Sequence, residues 1–181
     1  MERYLGPIAR GWGGYGGSVA AVQVCLFENR PAPEVVTYGT LGLSQHVLAM
    51  PREREVRQEL LLSVHRRFAG ENLPRLLALV AERILEHHRA LLRGETLPLQ
   101  HAIARGSVTS SLYVSSPVVF PEGLATFTGT QPPTVLAWLV PVCPQEVRFV
   151  DDHGWNAFED QLERTDPDLF DLERAEILRP T

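Results

Sequence analysis

Carboxylates and an imidazole cluster where Asp151, Asp152 and His153 are consecutive. Carboxylate oxygens and an imidazole nitrogen can bind a metal ion, and an imidazole can also act as a general base. The next residue is Gly154, which favours a loop between two helices, and carboxylates there stabilise the next helix through its positive amino-terminal end. We therefore keep a metal-dependent hydrolase centred on this Asp151/Asp152/His153 loop as the alternative hypothesis, and a structural role as the main one.

Other residues that suit catalysis or cofactor binding lack the spacing that the chemistry needs. The glycines from Gly11 to Gly16 satisfy the dinucleotide-binding pattern, but a strand is predicted after them, so no helix amino terminus would hold the phosphates. The six histidines include no i, i+4 pair on one helix, and Cys25 and Cys143 do not complete a zinc site. Ser110 and Ser111 lack the glycine pattern of a nucleophile elbow. The sequence thus predicts no catalytic residue, no metal and no cofactor.

Length and composition favour a single globular domain over residues 1–181. A chain of this length buries roughly 70% of its unfolded surface, and 44% apolar with 22% charged residues is a typical globular composition. No run approaches the ~20 apolar residues of a membrane helix, and the first residues do not form a signal peptide. Cys25 and Cys143 lie in apolar segments and are expected to be buried free thiols. We expect a cytoplasmic protein.

Hydrophobic periodicity and turn residues predict an α+β fold. The strand candidates are residues 18–27, 34–40, 57–64, 111–114, 117–120 and 134–140, the first two as an antiparallel pair. Residues 57–64 fit a helical period as well, because Leu60, Leu61 and Leu62 are consecutive, and we favour a strand there. A long amphipathic helix is predicted from about Leu73 to Arg93, with Asn72 as its cap and Gly94 at its end. Further helices are predicted over residues 144–150 and 155–164. This order favours a mixed, mainly antiparallel sheet packed by one long helix plus terminal helices.

The carboxyl-terminal part of the chain is strongly acidic. Between Asp151 and Glu176 ten carboxylates and two arginines give a net charge of −8, so the remainder carries +3 of the total of −5. Such a segment repels nucleic acid and attracts a basic protein, although a solvated face on terminal helices has the same composition. We predict partner contacts, with aromatic anchors inside a rim of carboxylates, at Asp151, Asp152, Trp155, Glu159, Asp160, Glu163 and Phe170.

Several blocks of the sequence, in order, resemble parts of the Suppressor of Fused domain, especially its bacterial single-domain members. The most informative block runs from Val36 to Ser44, after a glycine-rich lead into Ser18, and its glycines suit a tight, partly buried turn at a strand end. Later blocks are residues 59–62, the long helix with Leu97 and Pro98 after it, 112–117 and 135–142, so the resemblance covers about 13–178. Structural signature positions are Tyr38, Gly39, Leu41, Gly42, Leu43, Ser44, Pro117, Trp138 and Pro141.

The resemblance implies an α+β fold without catalytic residues and a function in protein binding. In animals a related domain lies in a two-domain protein that sequesters Gli-type zinc-finger transcription factors, and this chain is too short for both domains. Bacterial members are associated with polymorphic toxin systems, where they are similar to immunity proteins. We expect a non-enzymatic, immunity-type protein that neutralises a cognate bacterial toxin, for which a basic toxin domain is one candidate, and that binds no nucleic acid and no membrane. A scaffold subunit with a permanent hydrophobic interface is a further alternative.

Overall fold

The computed structural model describes residues 1–13, 22–70, 72–104 and 106–177. Its strands are β1 (Arg10–Trp12), β2 (Gln23–Glu28), β3 (Val35–Leu41), β4 (Leu48–Met50), β5 (Arg54–His65), β6 (Thr96–Pro98), β7 (Ser111–Ser115), β8 (Thr126–Phe127) and β9 (Thr134–Val142). Its α-helices are α1 (Glu2–Leu5), α2 (Asn72–His87) and α3 (Pro144–Thr165). Two 3-10 helices cover Leu43–Gln45 and Arg66–Phe68.

The strands form one mixed sheet with the order β1-β2-β3-β5-β9-β7-β6. Short strands β4 and β8 pair with β5 and β9 respectively. Among the described strands, β5 and β9 pair in parallel and every other pairing is antiparallel, including β2 with β3 as expected. The predicted α+β class with a mainly antiparallel sheet is therefore confirmed.

Alternating side chains of the strands form two cores, one on each face of the sheet. On β5, Leu60 and Leu62 point to the core that contains Leu77 and Ala81 of α2. Leu61 points to the other core, which contains Phe158 of α3 and also Leu5 of α1. Because β5 is buried on both faces, its apolar run is nearly continuous and shows no strand period.

Helix α2 ends earlier than its apolar stripe predicts. The prediction of a helix to Arg93 is wrong: α2 ends at His87, and His88 has a left-handed φ of 50°. The backbone then bonds to β4, with the Ala49 N–H donating to His88 O at 2.9 Å and the Ala90 N–H donating to Ala49 O at 3.0 Å. Leu91 continues the apolar pattern from this non-helical segment, where its backbone N–H and C=O bond to the Gln58 side chain.

The start of α2 also differs from the prediction. Asn72 is the first residue of the helix and not a residue before it. Gly94 does not end the helix, although it has a left-handed φ of 93°. It lies in the turn where the Glu95 N–H donates to Leu92 O at 3.1 Å.

Helix α3 joins the two terminal helices that the sequence predicts. It starts at Pro144, as expected, and the Glu146 carboxylate accepts a hydrogen bond from the Cys143 N–H at 3.0 Å. At Gly154 the backbone leaves the helical region, with φ 83° and ψ 161°, so the helix is kinked there. Asp151 to His153 lie in helix and do not form the expected loop.

Two other strand predictions need correction. Residues 117–120 form a turn, in which the Phe120 N–H donates to Pro117 O at 3.1 Å. In the first strand candidate, residues 18–21 lie outside the described part of the chain and β2 begins at Gln23. The short strands β1, β4, β6 and β8 carry too few residues for a period to be visible in the sequence.

Candidate protein-interaction site

The signature segment from Tyr38 to Ser44 is organised by a buried glutamate on β5. The Glu59 carboxylate is 3% exposed and accepts hydrogen bonds from the Thr40 hydroxyl at 2.5 Å and from the backbone N–H groups of Gly42 and Ser44 at 3.0 Å each. Arg57 donates to the Ser44 carbonyl at 2.9 Å. These bonds fix the chain where it leaves β3.

Glycine suits the signature positions Gly39 and Gly42 for different reasons. Gly39 lies inside β3, not in a turn, and an added Cβ would be 3.0 Å from Met1 Sδ and 3.3 Å from Leu61 Cδ2. Gly42 has a φ of 110°, which favours glycine, and the turn begins there. Tyr38 and Leu43 are buried, whereas Leu41 is 46% exposed at the end of β3.

The later signature residues also lie in the interior. Trp138 is 1% exposed, and its ring is 6.2 Å from the ring of Phe120 in an edge arrangement. Pro117 is buried in the turn after β7. The carbonyl of Pro141 accepts a hydrogen bond from Arg174 Nη2 at 3.3 Å.

The predicted acidic surface lies along α3, and most of its carboxylates form no ion pair with a described residue. Asp151, Asp152, Asp160 and Glu163 are exposed, and none of them forms an ion pair with a described residue. We call these four carboxylates the acidic face. Since no described cation lies within ion-pair distance of them, these carboxylates attract cationic groups over distances up to the Debye length, which is about 8 Å at physiological ionic strength.

Trp155 and Glu159 are tied to the segment after α2. The Arg93 guanidinium lies 4.8 Å from the Trp155 ring centroid and forms an ion pair with Glu159. The Tyr113 hydroxyl donates to the same carboxylate at 2.8 Å. Burial raises the pKa of Tyr113, and the hydrogen bond to Glu159 raises it further. The fixed Glu159 is therefore a support for α3, while Trp155 keeps 37% of its surface exposed.

Phe170 belongs to a segment that packs across the sheet after α3. Its carbonyl accepts a hydrogen bond from the His65 N–H at 2.9 Å, and its ring lies 6.2 Å from that of Trp138. Asp168 contacts His65 Nε2 at 2.6 Å. The segment ends at a buried ion pair in which Arg174 donates to Glu146 at 2.6 and 2.7 Å. Phe170 is half-buried by these contacts.

The residues of the alternative hypothesis, Asp151, Asp152 and His153, are consecutive on α3. The His153 ring stacks on Phe149, with centroids 4.4 Å apart. Across the described ranges, no group of three histidine, cysteine, aspartate or glutamate side chains is placed to hold a metal ion. Cys25 and Cys143 are buried free thiols, as expected, and burial raises the pKa of each.

The structure has a groove between α2 and the chain around β6 that the sequence did not predict. Its helix side is a second stripe at three- and four-residue spacing, formed by Leu76, Leu79, Val80, Arg83 and His87. That spacing is readable in the sequence. The opposite wall comes from residues 96–103, whose position depends on the sheet.

Comparisons with known proteins agree with this architecture. The family model for Suppressor of fused protein (SUFU) matches residues 19–175. The structure superposes on the crystal structure of a SUFU homologue from Neisseria gonorrhoeae with a TM-score of 0.74 and 17% identity, covering 95% of this chain and 88% of that one. It superposes on Drosophila Suppressor of Fused with a TM-score of 0.67 and 13% identity, covering 86% of this chain but 42% of that one.

A third similar structure is a Sufu–Fu complex, with a TM-score of 0.61, 13% identity, and coverage of 86% of this chain and 77% of that one. No curated protein sequence matches the chain. Within the described ranges, no helix is both long and apolar enough to cross a bilayer. The family model spans most of the sequence, and the chain belongs to the Suppressor of fused family.

Proposed function

We propose that this chain is a non-enzymatic protein-binding module of the immunity type, which neutralises a basic toxin domain through the acidic face of α3. The observation that carries the proposal is the set of exposed carboxylates at Asp151, Asp152, Asp160 and Glu163, none paired with a described cation. Family membership supports the protein-binding part, since one similar structure is a Sufu–Fu complex. The toxin partner and a cytoplasmic location are part of the proposal, and charge, the bacterial resemblance and composition support them.

The arrangement suits electrostatic steering followed by local packing. Uncompensated carboxylates accelerate encounter with a cationic surface, and their effect falls steeply with salt. Trp155 lies on the same helix, is 37% exposed and supplies an aromatic contact. A stable complex buries on the order of 800 Å² on each partner, so we expect residues on neighbouring loops to take part as well.

The test uses a toxin domain encoded beside the gene for this chain, made as a catalytically inactive variant. Affinity for the purified protein is measured across a salt titration, together with protection of cells that express the active toxin. The key variant is Asp160→Arg combined with Glu163→Arg. The matched control is Glu55→Arg combined with Glu53→Arg, because both residues are exposed at the start of β5 and the change in charge is equal.

We expect the Asp160→Arg/Glu163→Arg variant to bind at least about tenfold more weakly, with a smaller salt dependence, as for loss of interfacial charge pairs. The control should bind as the wild type does. Equal weakening of both variants would mean that net charge, and not the α3 face, drives the association. Absence of binding to any neighbouring basic toxin domain would contradict the immunity role.

A further inference from the structure

The carboxylate of Glu159 and the ring of Trp155 together hold a guanidinium group at the surface of α3. Arg93 Nε donates to Glu159 Oε1 at 3.0 Å, and Arg93 Nη2 donates to Glu159 Oε2. The guanidinium carbon lies 4.8 Å from the Trp155 ring centroid. Paired hydrogen bonds to one carboxylate and stacking on an aromatic face are contacts that suit arginine, and lysine cannot form the paired bonds. These contacts define a guanidinium-binding site, which Arg93 fills.

Neighbouring residues hold the carboxylate and the indole in place. The Tyr113 side chain is buried, and its hydroxyl donates to Glu159 Oε1 at 2.8 Å, which orients the carboxylate. The Tyr113 ring packs at an edge angle on Phe158, with centroids 5.0 Å apart. Trp155 lies against the backbone of Gly94, where an added Cβ would be 2.6 Å from Trp155 Cγ. We therefore expect the carboxylate and the indole to keep their positions when the guanidinium is removed.

Arg93 is the most exposed of the two charged groups in this site. Its side chain is 47% exposed, whereas that of Glu159 is 16% exposed. An ion pair with an exposed member stabilises a protein little, because water and salt compete for the charges. An arginine of another protein can therefore replace Arg93 at a modest cost in free energy, since the pair that is lost and the pair that is gained have the same chemistry.

The charge beside the site favours a basic protein as the source of that arginine. Glu159 and Glu163 are four residues apart on α3, so their side chains are neighbours on the helix surface. Arg93 pairs with Glu159, but Glu163 and the adjacent Asp160 are exposed and form no ion pair with a described residue. A basic surface that brings several cations compensates these carboxylates as well, which Arg93 by itself does not.

We propose that Trp155, Glu159 and Tyr113 form a binding site for an arginine side chain of a partner protein, and that Arg93 fills this site in the free protein. On binding, the incoming arginine stacks on Trp155 and pairs with Glu159, while the Arg93 side chain turns to solvent. This inference rests on the proposed function and deepens it, because it names arginine as a side chain by which a basic toxin domain is recognised. The site selects arginine over lysine through the paired hydrogen bonds to one carboxylate.

The site is tested first without a toxin, in the Arg93→Ala variant of the full chain. Ethylguanidinium is titrated at constant ionic strength, and ethylammonium is the matched probe with the same charge but no paired donors. Binding is followed by the NMR signal of the Trp155 indole N–H, which a Trp155→Phe variant identifies. The indole signals of Trp12 and Trp138, the other two tryptophans, are internal controls. Arg93→Gln is made in parallel, because it keeps a polar side chain if the alanine variant does not fold.

We expect ethylguanidinium to shift the Trp155 signal of Arg93→Ala saturably at millimolar concentration and to raise the melting temperature of this variant. Ethylammonium should bind at least about tenfold more weakly. Adding Glu159→Gln to Arg93→Ala should remove the binding. Arg89→Ala is the matched control, because Arg89 is exposed on the same segment and pairs with Glu95. Both Arg89→Ala and the wild type should need at least about tenfold more ethylguanidinium, since Arg93 competes for the site.

The exchange is tested with the inactive toxin domain of the proposed function. We expect Arg93→Ala to bind this domain at least about threefold more tightly than the wild type does, because no internal guanidinium has to be displaced. Glu159→Gln should bind it at least about tenfold more weakly. Arg89→Ala, which makes the same change in net charge as Arg93→Ala, should bind as the wild type does.

Two outcomes would overturn the inference. In the first, ethylguanidinium shifts the Trp155 signal of neither Arg93→Ala nor Arg93→Gln, or binds no better than ethylammonium. In the second, Arg93→Ala binds the toxin domain no more tightly than the wild type does, so that Arg93 is not displaced in the complex. Failure of the proposed function gives a different result: no toxin domain binds the wild type, while saturable binding of ethylguanidinium to Arg93→Ala still supports the arginine site.

Discussion

Helices α2 and α3 cover opposite faces of one sheet by different means. Helix α2 is attached by apolar burial, with Leu77 and Ala81 fully inaccessible. Helix α3 combines the buried Phe158 with polar attachments, namely the Glu146–Arg174 pair and the bonds of Glu159 to Tyr113 and Arg93. Their outer faces differ in the same sense, because α2 keeps the apolar side chain of Leu79 exposed and α3 exposes charge. In this molecule the helix attached by apolar side chains also exposes apolar area, and the helix attached by ion pairs and hydrogen bonds also exposes charged side chains.

Arg174→Ala should give the largest effect, on the α3 side. The side chains of Glu146 and Arg174 are 0% and 5% exposed, so the substitution leaves a buried carboxylate without its cation. We expect the free energy of unfolding to fall by about 3–5 kcal/mol, measured by urea denaturation. Arg164→Ala is the control, because Arg164 is exposed on α3 and bonds only to Gln161 among described side chains. Similar small losses in both variants would show that polar attachment of α3 contributes little.

Leu77→Ala tests the apolar attachment of α2. Leu77 is fully buried against the sheet, so truncation removes apolar contact and leaves a cavity. We expect a loss of about 3 kcal/mol in the same urea measurement, with little change between acidic and neutral pH. Leu79→Ala, at an exposed site two residues further on, should change stability by less than about 0.5 kcal/mol. A pH-dependent loss in Leu77→Ala would contradict the distinction between the two helices.

Asp171→Asn should give the smallest effect and shows the pH dependence of the segment after α3. Burial by itself would raise the pKa of Asp171, but the Glu173 N–H and the Arg67 guanidinium outweigh it, so the pKa lies below its ordinary value of 3.8. A lowered pKa stabilises the fold above the ordinary value, and this stabilisation is lost as pH falls through the folded-state pKa.

At neutral pH we therefore expect Asp171→Asn to cost about 0.5 kcal/mol, because the Arg67 partner is largely exposed. The difference from the wild type should vanish below the folded-state pKa. Urea denaturation at a series of pH values measures it. A constant difference across that series would assign the loss to the geometry of the amide and not to charge.

The sequence predicts the fold where the local pattern and the tertiary contacts agree. Strand β9 and the start of α3 at Pro144 have strong local signals. The end of α2 does not, because Leu91 and Leu92 continue the helical stripe while the backbone at Ala90 pairs with Ala49. Strand β6 has three residues and a proline, so only its pairing with β7 identifies it.

The candidate surfaces were predictable to different extents for the same reason. The acidic face is contiguous in sequence, so charge counting finds Asp151, Asp152, Asp160 and Glu163. Glu159 is held by Arg93 and Tyr113, which lie 66 and 46 residues away in the sequence. No spacing rule connects residues that are so far apart. The groove between α2 and the chain around β6 has two walls from separate segments, and the sequence pattern shows only the helical one.

The parallel pairing of β5 with β9 has a consequence for biosynthesis. Strand β5 is complete at His65, but its neighbour β9 starts only at Thr134, so a nascent chain carries β5 with one edge open for much of translation. That strand contains the consecutive residues Leu60, Leu61 and Leu62, and an open apolar edge is a template for aggregation. Chains released before β9 emerges from the ribosome should therefore aggregate or require a chaperone, even though every residue of α2 is already present.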